Sequence, residues 1–151
     1  MPKKIDHEAR KERILQTALK VFAREGYRDS NLSLIASECN ISRPTIYQYF
    51  KDKEDIYYYA VKLVTARMFN RYATYAWSSE QPFLKRLTVI CTDIMQEAHD
   101  HEGELTSLVD VMLQMKREGT DFNAIILRRT AKLSILFKRL LNQGMKEGEI
   151  I

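Results

Sequence analysis

Only 5 glycines and 3 prolines punctuate the 151 residues, and between them apolar side chains recur at helical spacing rather than alternating. A chain so poor in breakers, with so little two-residue periodicity, can form long helices and little else. The expected fold class is all-α. Capping chemistry divides it. A first helix is expected from Asp6 to Arg24, with Ile14, Leu15, Ala18, Leu19 and Phe22 on one stripe and Gly26 as its stop. Asn31 caps a short helix that ends near Asn40. Ser42 caps a second short helix, with Pro44 in its first turn, where a missing amide costs nothing, and it runs through Phe50. Asp52, with Asp55 as the capping-box acid, opens a long helix reaching about Ala76. Further helices are expected from Pro82 to about Ala98, from Leu105 to Lys116 and from Phe122 to about Gly144. The acidic stretch Glu97 to Glu104 and the stretch Arg117 to Asp121 are read as loops.

Charge narrows the class of partner. Lys and Arg number 24 against 20 Asp and Glu, a net of +4, and the excess sits early, with 12 basic and 9 acidic residues before position 65. Nucleic acid is permitted by that balance but not demanded. Two cysteines, Cys39 and Cys91, both in apolar helical patterns, are expected to be small buried side chains of a reduced, cytoplasmic protein rather than a disulfide framework. The longest apolar run, Ile56 to Val61, stops at Lys62, so neither signal peptide nor membrane span is expected.

The informative segment is Asn31 to Lys53, NLSLIASECNISRPTIYQYFKDK. Two short helices meeting at a turn near Asn40, braced by a preceding helix, describe a helix-turn-helix, whose second helix enters the DNA major groove. At 100° per residue, Ile46 and Phe50 fall on the inner face. Pro44, Thr45, Tyr47 and Gln48 point away, and Arg43 projects from the amino-terminal end. No acid occurs between Cys39 and Asp52, so this surface can approach phosphates without repulsion. The guanidinium fork of Arg43 matches guanine O6 and N7, Gln48 can pair with adenine, and Thr45 and Pro44 suit thymine methyl groups. Tyr47 and Tyr49 carry hydroxyls fit for phosphates. Lys53 stands at the start of the next helix, where free amides favour an anion.

The segments Ile14 to Tyr27, Asn31 to Ser42 and Arg43 to Asp55 together resemble the N-terminal domain of the TetR family of bacterial transcriptional regulators, over residues 10–62. Thr45, Ile46, Tyr47, Tyr49, Phe50 and Lys53 occupy the family's pattern, with Asn31 where Thr is common and Tyr49 where His is common. The resemblance implies base contacts from Arg43, Pro44, Thr45 and Gln48, and phosphate contacts from Ser33, Tyr47, Tyr49 and Lys53. It also implies two domains: a three-helix DNA-binding domain at 1–52 and, joined by the long helix, a helical ligand-binding and dimerisation domain at 53–151 that stops short of the family's usual length. Such a chain is expected to be a cytoplasmic, nucleoid-associated homodimer on a palindromic operator, a repressor released by a small-molecule effector. Two alternatives stand beside it: an architectural DNA-binding protein, and a helical small-molecule-binding adaptor without an operator.

Aromatic and thioether side chains give the second domain a lining suited to a flat or lipophilic effector, with Phe69, Tyr72, Met95 and Met112 as candidate pocket residues. Glu97 and His101 have helical chelate spacing, with His99, Glu102 and Glu104 nearby. Nothing fixes a third ligand, so the stretch is read as solvated and no metal or cofactor is expected. Lys3 and Lys4 read as a hydrated terminus rather than a minor-groove arm. No nucleophile-base pair, paired carboxylates or glycine-rich phosphate loop can be argued, and no enzymatic activity is expected.

Overall fold

The structure is a computed structural model that describes residues 5–78, 80–100, 103–119, 121 and 123–151. Among these it forms seven helices: α1 (His7–Glu25), α2 (Leu32–Glu38), α3 (Arg43–Tyr49), α4 (Lys53–Ser78), α5 (Phe83–His99), α6 (Glu104–Arg117) and α7 (Asn123–Lys146). The caps are those the sequence offers. Asp6 accepts from the Ala9 amide at 3.1 Å, Asn31 from Leu34 at 2.9 Å and Ser42 Oγ from Thr45 at 3.2 Å, so each helix start has a side-chain oxygen on an amide that the helix leaves open. At the head of α4, Asp52 accepts from the Asp55 amide at 2.8 Å and Asp55 reaches back to the Lys51 amide at 3.0 Å. The two carboxylates close the α3–α4 turn from both sides.

Of the four described residues with a positive φ, two shape the helix-turn-helix region. Gly26, at φ +85°, ends α1 and returns its amide to the Phe22 carbonyl. Asn40, at φ +53°, makes the turn between α2 and α3, a conformation that asparagine tolerates better than most residues.

Apolar side chains gather in two cores. The first joins α1, α2, α3 and the amino-terminal half of α4, with Phe22, Ile35, Ile46, Phe50 and Ile56 essentially without solvent contact, and it also takes in Leu108, Val111 and Met115 of α6. It therefore runs across position 52, and α6 packs directly on α1. The second lies between the carboxy-terminal half of α4, α5 and α7, around Tyr72, Ala76, Phe83, Ile90, Leu136 and Leu140. Cys39 is buried in the first core, whereas Cys91 is exposed. The expectation of two buried thiols is thus corrected at Cys91. Phe83, Arg86 and Ile90 turn inward on α5, which sets Cys91 and Met95 on the outer side.

Helices α5 and α7 meet closely at Gly144, where an added Cβ would lie 2.6 Å from the Phe83 ring. Phe83 is itself fully buried and has no room to retreat. Gly144→Ala, mid-helix and intrinsically favourable by about 1 kcal/mol, should nonetheless destabilise the fold by about 1–3 kcal/mol in a urea titration, because overpacking outweighs propensity.

Candidate nucleic-acid interface

The second short helix, α3, is anchored from beneath and open above. Ile46 and Phe50 are at most 1% exposed and belong to the first core. Arg43, Pro44 and Gln48 are exposed, Tyr47 is 48% exposed and Thr45 is half-buried. Thr45 Oγ1 lies 2.7 Å from Ser42 Oγ, which fixes the hydroxyl and leaves the methyl as the group available to a base edge. The Arg43 guanidinium sits over the Tyr47 ring, 5.8 Å from its centre, so a long side chain is partly ordered before any ligand arrives. The four side chains expected to read bases thus lie together on one short helix.

The residues expected at phosphates are distributed differently. Ser33 is exposed on α2 and Tyr47 on α3. Tyr49, half-buried, places its hydroxyl 2.7 Å from Nδ1 of His7, at the start of α1. Lys53 donates to the Tyr27 carbonyl at 2.7 Å and the Arg28 carbonyl at 3.0 Å, and its ammonium lies 4.7 Å from the Tyr27 ring centre. Burial holds its pKa below the ordinary lysine value, against the opposing pull of Glu118 and Asp29. In this arrangement Lys53 ties the α1–α2 turn to α4, with one of its three donors left over.

Polar contacts also bind this region to α6. The Gln114 side-chain oxygen accepts from the Tyr27 amide at 2.8 Å, and the buried Tyr57 hydroxyl donates to the Leu108 carbonyl at 2.9 Å. Arg67 on α4 pairs with Glu104 of α6 at 2.7 Å and with Glu12 of α1, while Gln16 donates to Glu104 at 3.0 Å. Sequence reasoning missed these partners and His7, because each is joined to its neighbour only across tens of residues and no local spacing signals it.

The candidate effector residues do not gather at one place. Phe69 and Tyr72 belong with the second core and Met112 with the first. Met95 is 71% exposed on the outer side of α5, which corrects its assignment to an interior lining. The Tyr72 hydroxyl donates to Asp93 at 2.6 Å, and burial with that contact pushes its pKa up to about 12. A cleft of about 620 Å³ between α1, α4, α5 and α6 is lined mainly by polar groups, among them Gln16, Lys20, Arg71, Asp93, Glu97 and Glu104, and not by the aromatic set. Glu97 is engaged by Arg71 at 3.0 Å. His101 and Glu102 of the chelate reading lie outside the described residues, as do Lys3 and Lys4.

The brace at Lys53 has a measurable consequence. Lys53→Met should lower stability by about 1 kcal/mol in the absence of any nucleic acid, as two carbonyls lose a charged donor. An unchanged urea midpoint would show that the contacts with Tyr27 and Arg28 contribute nothing.

Comparison with known proteins places this geometry. The model of the family described as bacterial regulatory proteins, tetR family, matches residues 14–59, the segment that carries α2, α3 and the start of α4. The chain is 33% identical over 86 residues to the uncharacterized HTH-type transcriptional regulator YuxN of Bacillus subtilis, a match that takes in 55% of this chain and 30% of that one. It is 40% identical over 57 residues to the HTH-type transcriptional regulator HbdR of an Aromatoleum strain, 38% of this chain and 25% of that one. These alignments span less than a third of either relative's length. In fold it is similar to the fatty acid degradation regulator FadR from Bacillus halodurans, with a TM-score of 0.82 at 23% identity over 99% of this chain and 74% of that one. The similarity to FadR from Bacillus subtilis, solved with stearoyl-CoA, has a TM-score of 0.78 at 26% identity over 93% and 73%. Residues 14–59 are thus similar to the helix-turn-helix domain of the tetR family of bacterial regulatory proteins, and the helical arrangement of the described residues is similar to that of the two FadR structures.

Proposed function

We propose that the protein is a sequence-specific, DNA-binding transcriptional regulator, a repressor that acts in the cytoplasm as a homodimer on a roughly palindromic operator. One observation carries the reading: Arg43, Pro44, Thr45 and Gln48 share the free face of a short helix whose opposite face is locked into the core by Ile46 and Phe50. A rigidly held, acid-free face with a guanidinium and an amide at its tip is what direct readout in the major groove requires. Ser33, Tyr47 and Tyr49 flank that face and supply hydroxyl donors to the backbone. Lys53 adds its charge and its remaining donor while holding the turn beside it. Two recognition helices about 34–36 Å apart would address successive major grooves. Exposed Leu127, Ile135, Leu141 and Met145 along α7 supply an apolar face suited to the contact between two copies.

The effector we propose is lipophilic, and the likeness in fold to a FadR solved with stearoyl-CoA makes a long-chain acyl thioester the first probe. The second core, with Phe69 and Tyr72 on α4 against α5 and α7, is the part of the fold where an acyl chain would find apolar contact.

The test is a binding titration on a duplex selected from a random pool. Arg43→Ala should weaken binding by about 1–3 kcal/mol and relax the preference at one position of each half-site, whereas wild-type affinity should fall steeply with salt. Equal affinity for selected and random duplex would favour an architectural protein, and no binding at low salt would favour an adaptor. Stearoyl-CoA at micromolar concentration should release the wild-type protein from its duplex. No release would remove the acyl effector and leave DNA recognition standing.

A further inference from the structure

The amino-terminal end of α1 meets the carboxy-terminal end of α3 through a polar contact in which the Tyr49 hydroxyl, assigned above to the DNA backbone, is joined by a histidine that the proposed function does not use. His7 and Tyr49, 42 residues apart, place Nδ1 and the phenol oxygen 2.7 Å from each other, with ring centres 5.9 Å apart and planes tilted by 38°. His7 is exposed, and the pair lies at the surface. The amides at this end of α1 are not what attracts notice, since Asp6 already accepts from Ala9. The two side chains are.

Resting on the DNA-binding reading, we propose that the interface continues from α3 onto the start of α1, where His7 and Tyr49 together hold a backbone phosphate and the protonation of His7 sets how many donors face it. The hydrogen-bond inventory gives the reason. When Nδ1 of the neutral ring accepts, the phenol hydrogen points into the pair, and only Nε2–H can face outward. In the imidazolium form Nδ1–H donates to the phenol oxygen. The phenol hydrogen is then free for a phosphate oxygen, Nε2–H is a second donor, and the site carries a positive charge. A phosphate therefore prefers the protonated pair, and binding takes up a proton. By linkage, affinity rises as pH falls through the range in which imidazole gains its charge.

Charged groups of both signs stand near the pair. At the start of α1 these are the cap residue Asp6, with Glu8, Arg10 and Lys11 following. From α3 the group in contact is Tyr49, with Arg43 and Tyr47 on the same helix. The α3–α4 junction adds Lys51 and Asp52, and the latter is already engaged by the Asp55 amide. From α4, Tyr59 holds the Lys11 ammonium 4.0 Å from its ring centre.

The experiment measures duplex binding by the full chain at constant ionic strength, at about pH 6 and about pH 8. Wild type should bind roughly fivefold tighter at the lower pH. His7→Gln, which keeps a hydrogen-bonding side chain without a titration, should lose that difference and bind like wild type at the higher pH. His7→Arg should bind at both pH values about as tightly as wild type does at the lower one. Tyr49→Phe should weaken binding at both and shrink the difference. Thermal unfolding of each variant in the same buffers separates loss of contact from loss of fold. If His7→Gln keeps the full pH effect, this inference fails alone and the effect belongs elsewhere, for example to His99 or His101. A wild-type chain that binds no duplex at either pH overturns both readings.

Discussion

The exposed face of α3 depends on two side chains buried beneath it. α3 has seven residues, far below the length at which a helix persists alone in water, so its conformation is borrowed from the core through Ile46 and Phe50. Burying side chains of that size contributes about 1.5–3 kcal/mol each, enough to hold a short helix that its own hydrogen bonds could not. The Ser42 cap and Pro44 set where it begins, and Asn40 sets the angle at which it leaves α2. Arg43 and Gln48 project from a fixed platform only because the opposite face is fixed.

That core is not confined to the first four helices. Leu108, Val111 and Met115 of α6 complete it, and Gln114, Glu104 and the Leu108 carbonyl add polar ties to Tyr27, Gln16, Arg67 and Tyr57. α6 and α1 thus share one close-packed interior. The first core therefore does not stop where the chain crosses from α3 to α4. It follows the apolar faces.

At the far end of the molecule a different arrangement closes the second core. Arg86, 1% exposed, donates to the Ala76 carbonyl at 2.5 Å and to Gln143 at 3.2 Å, and lies 3.7 Å from Glu147. Glu149 accepts from the Phe83 amide at 2.9 Å, and these amide contacts, with Arg86 nearby, hold its carboxyl below the usual range. A buried guanidinium thus reaches a carbonyl near the end of α4 while a carboxylate accepts from the first amides of α5. Both partners lie tens of residues from the groups they join on α7 and α5, so no local spacing signals either role.

The sequence by itself determined the elements: among the described residues α1 to α5 start within a few residues of where Asp6, Asn31, Ser42, Asp52 and Pro82 signal it, and α1 stops at Gly26, because capping and periodicity are local properties of neighbouring residues. It also determined which side of α3 is outward, since 100° per residue separates Ile46 and Phe50 from Gln48 whatever the helix packs against. Only the tertiary structure decided what those helices share. It put α6 into the first core, paired His7 with Tyr49, turned Lys53 toward two carbonyls, exposed Cys91 and Met95, and buried Arg86. Each of these depends on which face meets which partner across long stretches of chain, and a one-dimensional pattern of apolar and polar residues specifies a face but not the surface that will cover it.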